Sequence, residues 1–197
     1  TGNIRADGSS IFGAGNKWGF FPSVSATWDV LSTLPQMRTA WFNTFKLRSG
    51  YGLSGNTGGI RSYNSLLLLN PVGVISWKGT PATTFGILSN ANPDLKWETR
   101  SSFNVGADMG FWKNRVVLTA EYYYSRTRDM LYMYDVPVPP FVYPQMLANL
   151  GSMSNSGFEF GLGVTPLQRK DMELNINVNV SFQKNKLLSL SGNYQGR

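Results

Sequence analysis

The sequence predicts an all-β chain, specifically part of an antiparallel transmembrane β-barrel. Three observations carry that reading. Apolar and polar residues alternate over unusually long segments, the connections between those segments alternate in length, and large aromatics gather toward segment ends. A side-chain period of two marks a strand with one apolar and one polar face. Ordinary globular strands run about five or six residues, whereas a membrane-crossing strand needs about ten. The same alternation also describes a soluble β-sandwich, in which the valines would form a core. Pattern alone leaves both open.

The elements follow in chain order. A partial strand is expected before Gly8. Trp18–Val30 places Trp18, Phe20, Val24, Ala26 and Trp28 on one face, against Gly19, Ser23, Ser25, Thr27 and Asp29. A short turn is expected at Asp29–Arg38, broken by Pro35. Trp41–Tyr51 carries Trp41, Phe45, Leu47 and Tyr51 opposite Thr44, Lys46 and Arg48. Residues 95–111 read as one strand with Leu95, Trp97, Phe103, Val105, Ala107, Met109 and Phe111 on its apolar side. Val116–Met130 sets Val116, Leu118, Ala120, Tyr122 and Tyr124 against Val117, Thr119, Glu121 and Tyr123. Gly157–Thr165 continues the series, and Leu174–Phe182 alternates Leu, Ile, Val, Val and Phe with three asparagines and a serine. Six strands and a partial seventh result. Short turns join 111 to 116 and 167 to 172, while long loops fill roughly 52–94 and 131–155. Outer-membrane barrels alternate short and long connections in this way. The stretch 30–41 fits that scheme less well.

Composition narrows the function classes. The chain has 197 residues, 42% of them hydrophobic, with a mean hydropathy of -0.19. Its longest aliphatic run, Leu66–Leu69, is stopped by Asn70-Pro71, far short of the ~20 apolar residues of a spanning helix. Cysteine and histidine are both absent, which removes disulfides, thiolate chemistry, imidazole bases and the usual zinc ligands. No cofactor or metal site is expected. The net charge of +7 is spread through the sequence near strand ends and turns, so a nucleic-acid patch is not indicated. The N-terminal residues contain no apolar leader segment.

Particular words then add to the pattern. "RADGSSIFGAGNKWGFFPSVSATW" (5–28), "FKLRSGYGLSGN" (45–56), "NPDLKWET" (92–99), "NRVVLTAEYYYSRTRDML" (114–131) and "NLGSMSNSGFEF" (149–160) occur in this order. Together they resemble the C-terminal half of the barrel in SusC/RagA-type TonB-dependent outer-membrane transporters of Bacteroidetes. Ile11 and Ala14 depart from the family, which more often has Arg and Pro there. The resemblance implies a 22-stranded barrel with a plugged lumen, of which this chain would hold six or seven strands. The plug, the TonB-contacting segment, the signal sequence and the terminal strand are expected to lie elsewhere, and "SGNYQGR" in the next loop. It also implies import of oligosaccharides or peptides beneath a SusD-like surface lipoprotein, energised by TonB, with no chemistry performed by this chain.

On that reading Asn104, Asp108, Glu121, Tyr123, Glu159, Asn175, Asn177 and Asn179 face the lumen, where amides and carboxylates hydrogen-bond plug or substrate. Phe141 and Tyr143, in "VPVPPFVYP" (136–144), are expected loop contacts. The stretch "SLLLLNPVGVISW" is a candidate loop strand beside the lid. Trp18, Trp28, Trp41, Trp97, Trp112, Tyr122 and Tyr124 form the expected aromatic girdles against outer-membrane lipid. Two rivals stand beside it. One is a glycoside hydrolase pairing Glu98 with Glu121, or Glu121 with Glu159, across about 5–10 Å. The other is a soluble carbohydrate-binding sandwich with Val178 and Leu118 in its core.

Overall fold

The computed structural model of the chain describes residues 1–13, 15–58, 60 and 62–190, so Ala14 and the "SGNYQG" and final Arg of 191–197 lie outside the described residues. Among the described residues the strands are β1 (Gly2–Gly8), β2 (Trp18–Asp29), β3 (Phe42–Asn56), β4 (Leu68–Trp77), β5 (Thr80–Ser89), β6 (Glu98–Phe111), β7 (Val116–Asp135), β8 (Gln145–Arg169) and β9 (Met172–Ser189). Seven of them form one antiparallel sheet in the order β1-β2-β3-β6-β7-β8-β9, and β4 pairs with β5 alone. With that hairpin set aside, every strand lies beside its neighbour in sequence. The sheet is an up-and-down meander, so its connections fall alternately at two ends.

At one end, here the turn end, lie 30–41, 112–115 and 170–171. At the other, the loop end, lie 9–17, 57–97 and 136–144. The expected asymmetry is present, and the long connection 30–41 has a local cause. Asp29 caps a one-turn helix, α1 (Val30–Thr33), by accepting from the Ser32 N–H, and Val30 and Leu31 are buried. Pro35 does not simply break this turn. It opens a 3-10 turn over Pro35–Met37, where its fixed φ and missing N–H cost nothing. The tight 112–115 turn instead places Trp112, Lys113 and Asn114 at φ of 50°, 58° and 62°. Neighbouring groups at the head of β3 hold it there, since Trp112 N–H donates to the Trp41 carbonyl and Asn114 accepts from the Thr44 hydroxyl.

Register explains the two faces. Directly opposed residues of an antiparallel pair share a face, and Ser49, Val105, Tyr122, Phe158 and Phe182 form one such row. The neighbouring row, Arg48, Gly106, Glu121, Glu159 and Ser181, lies on the opposite side. One face of the whole meander is therefore apolar and the other polar. No second layer covers either face among the described residues: Val178 is 50% exposed and Phe182 64%.

The buried hydrophobic side chains collect at the sheet's ends instead. Val30 and Leu31 are at the turn end, and Phe12, Phe21, Leu95, Met146 and Ala148 belong to the loop-end part of the chain. Here the structure corrects the sequence reading. The stretch 95–97 is not strand: β6 begins at Glu98, and residues 90–96 form a strap held by asparagines. Asn90 donates to the Tyr143 and Gln145 carbonyls and accepts from the Val142 and Tyr143 amides. Asn92 donates to the Leu147 carbonyl, and Asn149 both accepts from Lys96 N–H and donates to its carbonyl. With those backbone partners supplied, β8 extends back to Gln145, well before Gly157, and β7 runs on to Asp135.

Candidate functional site

The polar face is the candidate site, and strand register assembles it. Asn104 and Asp108 on β6, Glu121 and Tyr123 on β7, Glu159 on β8, and Asn175, Asn177 and Asn179 on β9 all fall on the face that carries Arg48. The eight residues singled out from alternation therefore share one surface. Sequence reasoning passed over its organising cation, Arg48. The Arg48 guanidinium forks onto Asp108, with Nε 2.8 Å from Oδ2 and Nη2 3.1 Å from Oδ1. Its Nη2 also lies 3.3 Å from Glu121 Oε2. Asn104 Nδ2 donates to the other Glu121 oxygen at 3.4 Å. A planar guanidinium suits this geometry because it can serve two carboxylates at once. The cluster ties β3, β6 and β7 together in the middle of the sheet.

Glycines shape the surface between these groups. A Cβ on Gly50 would sit 2.6 Å from Asn104 Oδ1, and one on Gly157 would sit 2.7 Å from the Tyr123 hydroxyl. Gly161 and Gly163 leave similar room beside Asn179 and Asn177. Long polar side chains thus lie down across a neighbouring strand where it has no side chain of its own. The result is two adjoining hollows along β8, of about 420 and 370 Å³, both touching Thr119, Gly161 and Asn179. The first is lined by asparagine amides and the second by Arg48, Glu121 and Glu159. Such a surface offers hydrogen-bond donors, acceptors and charge.

The two carboxylate pairs of the hydrolase rival differ in geometry. Glu98 sits at the loop end, accepting from Asn56 and the Leu131 amide, and is roughly 25 Å along the ladder from Glu121 by strand rise alone. Glu121 and Glu159 are directly opposed, but both oxygens of Glu121 are engaged by Arg48 and Asn104.

The remaining sites divide. At the turn end Trp41 stacks on Phe111, which also meets Phe42 and Trp112, and Trp28 is exposed. Trp18, Tyr122 and Tyr124 stand on the apolar face toward the loop end. Trp97 differs. Its ring packs against Phe12 and Phe21, both buried, so it belongs to the loop-end core rather than to an outward belt. Tyr143 is held through its backbone by Asn90, and Phe141 through its amide by the Pro137 carbonyl. The stretch from Ser65 contains β4, half of a hairpin whose Leu69, Val74, Trp77 and Phe85 are exposed.

Comparison with known proteins bears on this architecture. The family model described as TonB dependent receptor-like, beta-barrel matches residues 1–196. A TonB-dependent receptor of Formosa agariphila is 33% identical over 95% of the chain and 19% of its own length. The TonB-dependent receptor SusC of Bacteroides thetaiotaomicron is 30% identical over 98% of the chain and 19% of its own length. Among solved structures, the RagAB peptide importer matches in its closed-closed state with a TM-score of 0.84 at 30% identity, covering 98% of the chain and 21% of that one. Its open-open state gives 0.85 at 30% identity, covering 96% and 20%. The chain therefore spans about a fifth of the length of these relatives.

Proposed function

The chain belongs to the TonB-dependent receptor β-barrel family, of the SusC and RagA type found in the bacterial outer membrane, and from that premise we propose that it supplies wall and extracellular loops to an active importer. The carrying observation is a seven-stranded meander with one apolar face, one polar face and, among the described residues, no core between layers. Lipid satisfies the first face and a hydrated lumen the second. β1 and β9 then continue into further strands of a closed, plugged barrel.

In this reading the loop end is extracellular and the turn end periplasmic. The Arg48–Asp108–Glu121 cluster and the amides of Asn177 and Asn179 meet plug or cargo in the lumen. The cargo is a peptide or an oligosaccharide, a SusD-like lipoprotein closes the loop end, and TonB acts through a part of the protein outside this chain. The RagAB importer, a peptide importer by its description, supports the peptide alternative. In this reading the chain performs no bond chemistry, and the Arg48, Asp108, Glu121 and Asn104 side chains hold one another. A soluble sandwich would need Val178 covered, and half of its surface is open.

Fractionating the source cells and locating these peptides tests the reading. The expected result is a polypeptide several times larger than 21.9 kDa in the outer membrane, whose uptake of peptide or oligosaccharide stops when TonB is deleted. A soluble species of the chain's own size would overturn it.

A further inference from the structure

The apolar face changes character abruptly at the loop end. On β7 the outward series Val116, Leu118, Ala120, Tyr122 and Tyr124 is followed by Arg126 and Arg128. On β9 the series Ile176, Val178, Val180 and Phe182 is followed by Lys184 and Lys186. Register brings the four together. Lys184 is opposite Ser156, itself opposite Tyr124; Lys186 is opposite Ser154, itself opposite Arg126; and Arg128 is opposite Ser152. Two strand spacings separate the arginines from the lysines, about 10 Å, and two residues along a strand separate each pair, about 7 Å. Among the described residues, these are the only charged side chains on the apolar face within the ladder between its bulges, and all are positive.

None of the four side chains has an ion-pair or hydrogen-bond partner among the described residues, and Arg126 Nε is buried without one. The nearest acids are engaged elsewhere: Asp129, next to Arg128, pairs with Lys96, and Glu98 on the polar face accepts from Asn56 and the Leu131 amide. The turn-end rows of the same strands carry Val116, Val164 and Ile176 in the equivalent outward positions. The asymmetry separates one membrane surface from the other. Cations placed directly beyond the aromatics of a lipid-facing band sit at headgroup depth, where guanidinium forks match phosphate oxygens.

We infer that Arg126, Arg128, Lys184 and Lys186, with the Ser156 hydroxyl between them and the Ser154 hydroxyl turned onto the Lys186 carbonyl, form a binding site for the phosphate of an anionic lipid headgroup in the loop-end leaflet. The inference rests on the reading that the apolar face meets lipid. The phosphate settles over the two serines while its acyl chains run down beside Tyr124, Phe158 and Phe182, all exposed on this face.

The test uses the full-length protein in phosphatidylcholine nanodiscs, with diphosphoryl lipid A as the probe and retained lipid counted by native mass spectrometry. A heat-dependent gel shift on wild type and on the Arg126→Gln/Lys186→Gln variant first shows whether each inserts. Failure of the wild type to insert would sink the membrane reading itself, and the site with it. Given insertion, the double variant should lose affinity for the probe by about tenfold, and dephosphorylated lipid A should bind the wild type as weakly. Equal retention by wild type and variant would overturn the site, and so would equal retention of the dephosphorylated probe. Displacement of the probe by millimolar inorganic phosphate would also overturn it, by showing an ion site without lipid preference.

Discussion

Leu95 and Val178 are both aliphatic, yet the first is wholly buried and the second half exposed. Leu95 lies in the strap at the loop end, where Asn90, Asn92 and Asn149 fix 90–96 against β8 and the chain builds a small core of its own. Val178 lies mid-strand in the wall, where backbone ladders hold the sheet and nothing among the described residues covers the outer half of the side chain. The two regions draw on different sources of stability. The loop end relies on internal packing and satisfied buried amides, and the wall relies on lipid outside it and on neighbouring strands. Fragment or not, the wall depends on its surroundings in a way the loop end does not.

The contrast can be broken first at the wall. Val178→Lys should cost about 2–4 kcal/mol in the bilayer and impair assembly, read by denaturant titration of the protein folded into vesicles. Asn177→Lys, one residue away on the other face, is the control, and equal tolerance at the two positions would remove the distinction between faces. Next comes the packing of side chains across glycine. Gly157→Val places a branched Cβ on the Tyr123 ring and the Phe182 carbonyl and should destabilise by about 1–3 kcal/mol, in the same titration. A wild-type midpoint would mean that Tyr123 does not rest on β8.

Asn90→Ala examines the loop end alone. It strips partners from the Val142 and Tyr143 amides and from the Tyr143 and Gln145 carbonyls, a loss of about 1–3 kcal/mol confined to that region. Hydrogen exchange should quicken at 142–143 while the amides of β9 keep their protection. Acceleration throughout the sheet would show that the two regions are a single cooperative unit. The smallest effect belongs to the control: Asn177→Lys should move stability by no more than about 0.5 kcal/mol.

The wall was legible in the sequence because its physics is local. A strand with unlike environments on its faces must alternate, so β2, β6, β7 and β9 and all eight polar-face residues could be placed by counting in twos. The loop end obeys no such rule. "QMLANLG" (145–151) does not alternate, and its strand forms because asparagines more than 50 residues away, at 90 and 92, satisfy its backbone. Trp97 shows the same limit: continuing the period of β6 puts it on the apolar face, but the chain has left the sheet by then and the indole packs on Phe12 and Phe21. Arg48 was visible as a polar-face residue. Its role was not, because the carboxylates it joins come from strands made adjacent by the loop excursion of 57–97. The basic row at 126–128 and 184–186 looked like scattered charge until register set its members side by side.

One side chain gives the loop end a mechanical property. Asn90 directly follows the last strand residue of the β4–β5 hairpin, and the same amide grips both backbone directions of the 142–145 segment. A single side chain thus pins the exit of the hairpin to the backbone at 142–145, just ahead of the strand whose other half carries the glycines of the polar hollows.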